Sequence, residues 1–344
     1  IKAKAKGKGF DFFSEKTFTN TLININQAEY NGYNYENIEL KATLNKQILN
    51  GALSCSTEAL DIDLKINGVL SPDIIQAHIS GPVNQLNLEK MHFSSSPLSI
   101  GMHLDIEGST DQKDKYSANA NIKDFILRMN SKENKLKQIT LNANIDKNFI
   151  HGKFAADNIT VRFDSPVVID TLTKGIENTQ QLLEKQLQEW QFNLASLEQQ
   201  LPPFSFSAQA SKNNFLKSIL EPAGIDFKQA GVEVESSEKR PFHIRADIDQ
   251  LVKSGIQIDT IRMYARQGRD SSKIVYHLHI GNVPGNLDQA AQVGMSGYIE
   301  SNHMLMRCKQ KNRSGEQGFN FGYEAWLQDS LVPISFLPDP ILGF

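Results

Sequence analysis

Apolar and polar residues alternate strictly over long stretches of this 344-residue chain. In the clearest stretch Leu60, Ile62, Leu64, Ile66, Gly68 and Leu70 interleave with Asp61, Asp63, Lys65 and Asn67. Successive side chains of a strand point to opposite faces, so such a segment has one apolar face and one hydrated face. The pattern returns in Leu98, Ile100, Met102, Leu104, Ile106, in Leu141, Ala143, Ile145, and in Phe319, Phe321, Tyr323, Ala325. A long sheet with one apolar face has to cover that face with something.

From Ile1 to about Asp170 the chain holds only strand-like runs, separated by Asn, Gly, Asp, Ser and Lys turns. A typical hairpin is Ile38, Leu40, Ala42, Leu44, a turn at Asn45-Lys46, then Leu49, Gly51, Leu53, Cys55. Further runs are Ile75, Ala77, Ile79, then Phe154, Ala156, then Val161, Phe163. Between about Thr171 and Gln200 the apolar positions become Leu172, Ile176, Leu183, Leu187, Trp190, Leu194, Leu197 and Leu201, spaced by threes and fours from Leu183 onward, and the pattern stops at Pro202-Pro203. That is an amphipathic helix, either laying its stripe on the sheet or serving as a lid or docking element. Strand patterning resumes with Phe204, Phe206, Ala208, and a short helix is expected over Asn214 to Leu220. Ile244, Ala246, Ile248, then Ile261, Met263, then Tyr276, Leu278, Ile280, then Met295, Gly297, Ile299 follow. Roughly 20 strands against roughly 40 helical residues give a mainly β fold divided into 1–170, a helical insertion 171–203, and 204–344.

Composition narrows the function classes. Lys plus Arg number 36 and Asp plus Glu 39, a net charge of −3, so no global field draws nucleic acid or an anionic membrane. Two distant cysteines, Cys55 and Cys308, form neither a disulfide framework nor a zinc pattern; Cys55 reads as a small buried hydrophobe, and a bridge to Cys308 has no support in the spacing. No run of about 20 apolar residues exists to span a bilayer. The chain opens at Ile1-Lys2-Ala3-Lys4, already in strand alternation, and closes at Ile341-Leu342-Gly343-Phe344, so it reads as a section of a longer protein.

No catalytic constellation stands out along the chain. Gly7-Lys8-Gly9 sits in a strand and lacks the strand-loop-helix setting of a phosphate loop. His277 and His279 share a strand face but lack a third ligand, so they read as a polar outer face rather than a metal site. Asp61 and Asp63 read as solvated charge, and the Asn158 and Asn312 sequons as chance tripeptides. Lys2, Lys4, Lys6 and Lys8 suit an edge strand protected against further pairing, or a rim that accompanies phosphate heads. Nothing suggests an enzyme, a cofactor or a metal.

Helices are too scarce to cover the sheet. A sandwich, a barrel, or one sheet curled so that its apolar face lines a trough remains. The trough is expected to be lined, by parity, from Leu40, Leu44, Leu53, Leu60, Ile62, Leu64, Ile66, Ile75 and Ile79. It continues through Leu98, Ile100, Met102, Leu104, Ile106, Leu141, Ile145, Val161 and Phe163. Ile244, Ile248, Ile261, Met263, Leu278, Met295, Phe319 and Phe321 complete it, the methionines supplying an adaptable surface. Each buried methylene contributes about 0.8 kcal/mol, so an acyl chain gains on the order of 10 kcal/mol on leaving water for such a channel. The competing reading is a structural or adhesive β-protein, in stacked sandwiches or a solenoid, with a sealed core.

Three stretches carry a family likeness. The unit Asn37-Ile-Glu-Leu-Lys-Ala-Thr-Leu, Ile48-Leu-Asn-Gly-Ala-Leu, Leu60-Asp-Ile-Asp-Leu-Lys-Ile-Asn-Gly resembles the periodic units of TamB and its AsmA-like relatives. The Leu/Gln helix running into Leu201-Pro-Pro-Phe-Ser-Phe-Ser-Ala, with Leu220-Glu-Pro-Ala-Gly-Ile-Asp-Phe after it, is similar to TamB-like proteins, as is the closing Leu331-Val-Pro-Ile-Ser-Phe-Leu-Pro-Asp-Pro-Ile-Leu-Gly-Phe. The resemblance implies an elongated, taco-shaped antiparallel β-groove in the periplasm, anchored to the inner membrane by a segment outside this chain. It implies transport of phospholipid toward the outer membrane, a role in assembling outer-membrane proteins, and a barrel partner of the TamA/BamA type engaged by regions outside this fragment. It offers no catalytic residues.

Overall fold

The structure is a computed structural model that describes residues 1–129, 132–189, 191–211, 215–237, 242–267, 273–281, 292–312, 314–327, 332–338 and 341–342. Trp190, Asn214, Arg313, Leu331, Asp339, Pro340, Gly343 and Phe344 of the sequence motifs lie outside the described residues. The fold is mainly β, 67% strand, in an antiparallel sheet that does not close on itself. The chain divides into two compact units, Ile1–Lys147 with His151–Asp157, and Asn148–Ile150 with Asn158–Phe344.

Unit 1 is a meander in which each strand pairs with the next: β1 (Lys2–Lys8), β2 (Phe18–Tyr30), β3 (Tyr33–Asn45), β4 (Ile48–Ser56), β5 (Leu60–Leu70), β6 (Ile75–Asn87), β7 (Leu98–Thr110), β8 (Tyr116–Met129) and β9 (Lys132–Asp146), followed by β10 (Phe149–Ala156), which straddles the division. Two-residue turns with left-handed backbone set the early registers. Asn31 and Gly32 have φ of 53° and 74°, and Lys46 and Gln47 have 48° and 69°. Positive φ at both central positions gives the turn whose twist matches that of the flanking strands.

Unit 2 begins with β11 (Ile159–Ser165), the helices α1 (Ile169–Gln188) and α2 (Leu194–Gln200), and β12 (Phe204–Ser211). After α3 (Phe215–Leu220), a 3-10 turn at Glu221–Ala223 and the short β13 (Ile225–Asp226), strands return as β14 (Gln229–Ser236), β15 (His243–Lys253), β16 (Ile256–Gln267), β17 (Lys273–Gly281), β18 (Gln292–Glu300), β19 (His303–Lys311) and β20 (Gln317–Trp326). These also pair in sequence, β11 with β12 and β12 with β14 across the helical insertions; β21 (Ile334–Phe336) and β22 (Ile341–Leu342) both add to β20.

The expected single helix is in fact two. Asn193 ends the break after α1, its side-chain oxygen accepting from Ser196 N at 3.1 Å as the cap of α2. Gln186 ties the hairpin together, accepting from Asn193 N at 2.9 Å and donating to Ser196 Oγ at 2.8 Å. The expectation that the stripe lies on the sheet is corrected as well. Leu172 and Leu194 are buried, but Ile176, Leu183 and Leu187 are 45%, 37% and 60% exposed.

Bulges interrupt the β5–β6 register at Asp61/Ile62 and the β6–β7 register at Val83/Leu86. Gly81 and Pro82 precede the second one, and a proline, which has no N–H to donate, is tolerated at such irregularities. Gly81 has φ +144°, and a Cβ there would lie 2.1 Å from the Asp63 carbonyl oxygen. Gly81→Ala is therefore expected to cost at least about 1 kcal/mol and to lower the thermal midpoint, followed by far-UV circular dichroism, by about 2–8 °C. An unchanged midpoint would contradict this reading of the bend.

Candidate functional site

In an antiparallel ladder, directly paired residues place their side chains on the same face, so the registers identify each face. In unit 1 one row crosses eight strands as Thr21, Ala42, Gly51, Ile66, Ile79, Ile106, Ala120 and Leu141. Beside it run Ile23, Leu40, Leu53 and Leu64 on one side, and Thr19, Leu44, Leu49, Gly68, Ala77, Gly108, Ala118 and Ala143 on the other. Beyond the bulges the same face continues with Leu60, Leu86 and Ile100, with Ile62, Val83 and Met102, with Gly81 and Leu104, and with Leu98 and Met129. At the other end Ile75, Thr110, Tyr116 and Ile145 align. The opposite face is hydrophilic: Asn20, Thr43, Asn50, Asn67, His78, Glu107, Asn119 and Asn142 form its matching row.

Unit 2 repeats this separation. Val161, Ala208, Val232, Ala246, Met263, Leu278, Met295, Cys308 and Phe321 make one continuous apolar row. It is flanked by the row from Phe163 through Phe206, Val234 and Ile244 to Tyr276, and by the row holding Ile248, Ile261, Ile280 and, at its far end, Phe319. The reverse face carries Arg162, Glu233, Arg245, Tyr264, His277 and Arg307 in register. His277 stacks on Tyr264 at 5.3 Å, and Arg245 pairs with Asp247 at 2.6 Å. Exposed pairs of this kind contribute little to stability. No group of three His, Cys, Asp or Glu side chains among the described residues is placed to hold a metal.

The apolar rows are not sealed. Of the residues expected to line the trough, Leu44 alone is buried, at 2% exposure; Leu141 and Met263 are exposed at 42% and 39%, and the rest are half-buried. Leu44 is thus a core residue rather than a lining one.

Within unit 1 that face opens into a cavity of about 360 Å³ lined by Ile75, Ala77, Gly108, Thr110, Tyr116, Ala118, Ala143 and Ile145, with Ser109 and Ser117. Parity alone did not reveal it. The hollow exists because Ala77, Gly108, Ala118 and Ala143 fall in one row, and only the registers align small residues from four strands. In unit 2 a glycine stands where the backbone approaches closely. A Cβ on Gly297 would lie 1.8 Å from the Leu305 carbonyl oxygen, and the hydroxyl of its ladder partner Tyr276 donates to that oxygen at 3.1 Å.

The helical hairpin is anchored at the strand ends of unit 2. Phe192 N donates to Asn302 Oδ1 at 2.6 Å in the β18–β19 turn, and Gln267 Nε2, at the end of β16, donates to Glu198 Oε2 at 2.9 Å. No described helix is long and apolar enough to cross a membrane.

Both cysteines are free and buried, at 2% for Cys55 and 8% for Cys308, and burial pushes each thiol above its ordinary range. Thiolate is the reactive form, so both are shielded twice, by access and by protonation. An aromatic disulfide reagent at about pH 8 is expected to titrate neither thiol within minutes in the native chain and both after denaturation in guanidinium. Rapid native reaction, or thiols released only by a reductant, would contradict this.

No family model matches the chain, and no curated protein or solved structure matches it.

Proposed function

We propose that the apolar faces of the two units bind the acyl chains of phospholipids, and that the chain is a section of a bridge conducting lipid across the periplasm toward the outer membrane. The observation that carries the reading is the half-buried state of nearly every residue in the apolar rows. A sealed sandwich would bury them, and a surface meeting only water would not align them across eight or nine strands. A trough screened from bulk water but open to hydrocarbon suits both facts, each curled sheet holding its apolar rows inside. An acyl chain there gains about 0.8 kcal/mol per methylene, and the gain is repeated along the row, so no position becomes a deep trap.

The polar reverse face leaves headgroups and solvent outside, and the protein acts as a conduit rather than a catalyst. The amphipathic helical hairpin, whose Leu183 and Leu187 remain uncovered, stands at the strand ends of unit 2 as a lid. The TamB-like periodicity is the ground for the periplasmic setting, for inner-membrane anchorage through other segments, and for an outer-membrane barrel partner and a part in outer-membrane protein assembly.

Photo-crosslinking residues placed one at a time from Leu60 to Leu70, with lipid analysis of the adducts, tests the reading. The even positions are expected to capture lipid and the odd positions not to; equal capture by both, or by neither, would sink it. Leu64→Asp and Ile100→Asp are expected to lower lipid occupancy on the order of tenfold, because a carboxylate among hydrocarbon is costly to dehydrate. Strand content should persist in both variants. Full occupancy in either would count against a lining role.

A further inference from the structure

At one end of the unit 1 sheet four turns are joined by side-chain and backbone hydrogen bonds. They are the loop 9–17 between β1 and β2, the turn 46–47 between β3 and β4, the turn 71–74 between β5 and β6, and the turn 111–115 between β7 and β8. Gln47 Nε2 donates to the Phe13 carbonyl at 2.6 Å, Leu70 N to the Gln47 carbonyl at 2.8 Å, and Gln112 Nε2 to the Ser71 carbonyl at 3.2 Å. The first loop is internally ordered as well. Asp11 accepts from Phe13 N at 2.9 Å on its carboxylate, and from Thr17 Oγ1 at 2.5 Å and Ser14 N at 3.1 Å on its carbonyl, with Thr17 itself 2% exposed.

This ordered rim holds its large apolar side chains outward. Phe10 is 101% exposed and Phe12 56%, and Ile48, Ile74 and Tyr116 follow along the same end at 53%, 36% and 48%. A loop whose polar groups are satisfied locally has no internal reason to leave two phenylalanines in water. Lys8, Lys16, Lys46, Lys113 and Lys115 stand among them, opposed by Asp11, Glu15, Asp73, Asp111 and Asp114, so the rim carries balanced charge.

We propose that this rim is a membrane-interface contact, which seats Phe10 and Phe12 in the headgroup–acyl boundary of a bilayer. Apolar side chains spread over four turns and interleaved with lysines match a planar interface, where aromatic rings settle at headgroup depth and lysine stems extend toward phosphate. A protein partner would favour one concave or contiguous patch. The 360 Å³ hollow of the apolar face lies at this same end, with Ile75, Tyr116 and Ile145 among its walls. The choice of lipid over protein rests on the acyl-binding reading of that face, and the rim would place the hollow's mouth against the membrane. With no net charge on the rim, attachment is driven by apolar contact and does not require anionic lipid.

Co-flotation of the whole chain with phosphatidylcholine vesicles tests the contact. The protein is expected to float, with partitioning changed less than about twofold by added phosphatidylglycerol or by molar salt. The double variant Phe10→Ser/Phe12→Ser should lose about tenfold or more in partitioning. Phe10→Trp should keep it, and Tyr264→Ser, on the polar face of unit 2, should leave it unchanged. Absence of flotation, an unaffected double variant, or flotation that needs anionic lipid and vanishes in salt would overturn the proposal. Uptake of a fluorescent fatty acid below its micelle threshold reads the apolar faces separately. Flotation without uptake leaves the rim contact standing and removes the acyl-binding reading; uptake without flotation does the reverse.

Discussion

Everything in this molecule depends on antiparallel register. A strand with alternating chemistry has two different faces, but a sheet has them only when each neighbour is paired so that like meets like. Slippage by a single residue anywhere between β2 and β9 would carry a row such as Ile66, Ile79, Ile106 onto the face of Asn67, His78 and Glu107. Two devices hold the registers. Left-handed two-residue turns fix the start of hairpins such as Asn31-Gly32 and Lys46-Gln47, and bulges at Ile62 and Val83 absorb the extra residues that would otherwise invert the pattern.

The second consequence of register is where space is left. A row of leucines would fill the hollow at the end of unit 1, and the row from Ala77 to Ala143 leaves it empty. In unit 2 the space over Gly297 is instead taken by the Leu305 carbonyl, which the hydroxyl of Tyr276, directly opposite Gly297, also reaches.

Much of this was legible from residue order. Period-two alternation located the strands, and the change to a period near 3.6 located the helical segment, because both periodicities follow from backbone geometry alone. The parity of Leu60 to Leu70, or of Ile244 to Ile248, assigned faces that the ladders reproduce. What could not be read was whatever depends on a partner strand. Leu44 has the same parity as its half-buried neighbours, yet is 2% exposed. The helix break at Asn193 turns on a cap whose effect competes with a strong Leu/Gln periodicity. The turn expected at Asn45-Lys46 falls one residue later, at Lys46-Gln47, which carry none of the usual glycine or asparagine signal. The loop over Phe10 and Phe12 is set by the hydrogen bonds of Asp11 and Thr17, which alternation does not show.

A sheet in which each strand touches chiefly the one before and the one after is, thermodynamically, close to a linear array. Its free energy is a sum of local folding and nearest-neighbour coupling, with no central mass to which every part is bound. Such an array can be extended by further hairpins without redesign of those already present, since a new strand asks only for a matching edge. It can equally fray from a weak link while distant strands remain folded, so damage in one β-hairpin is contained there.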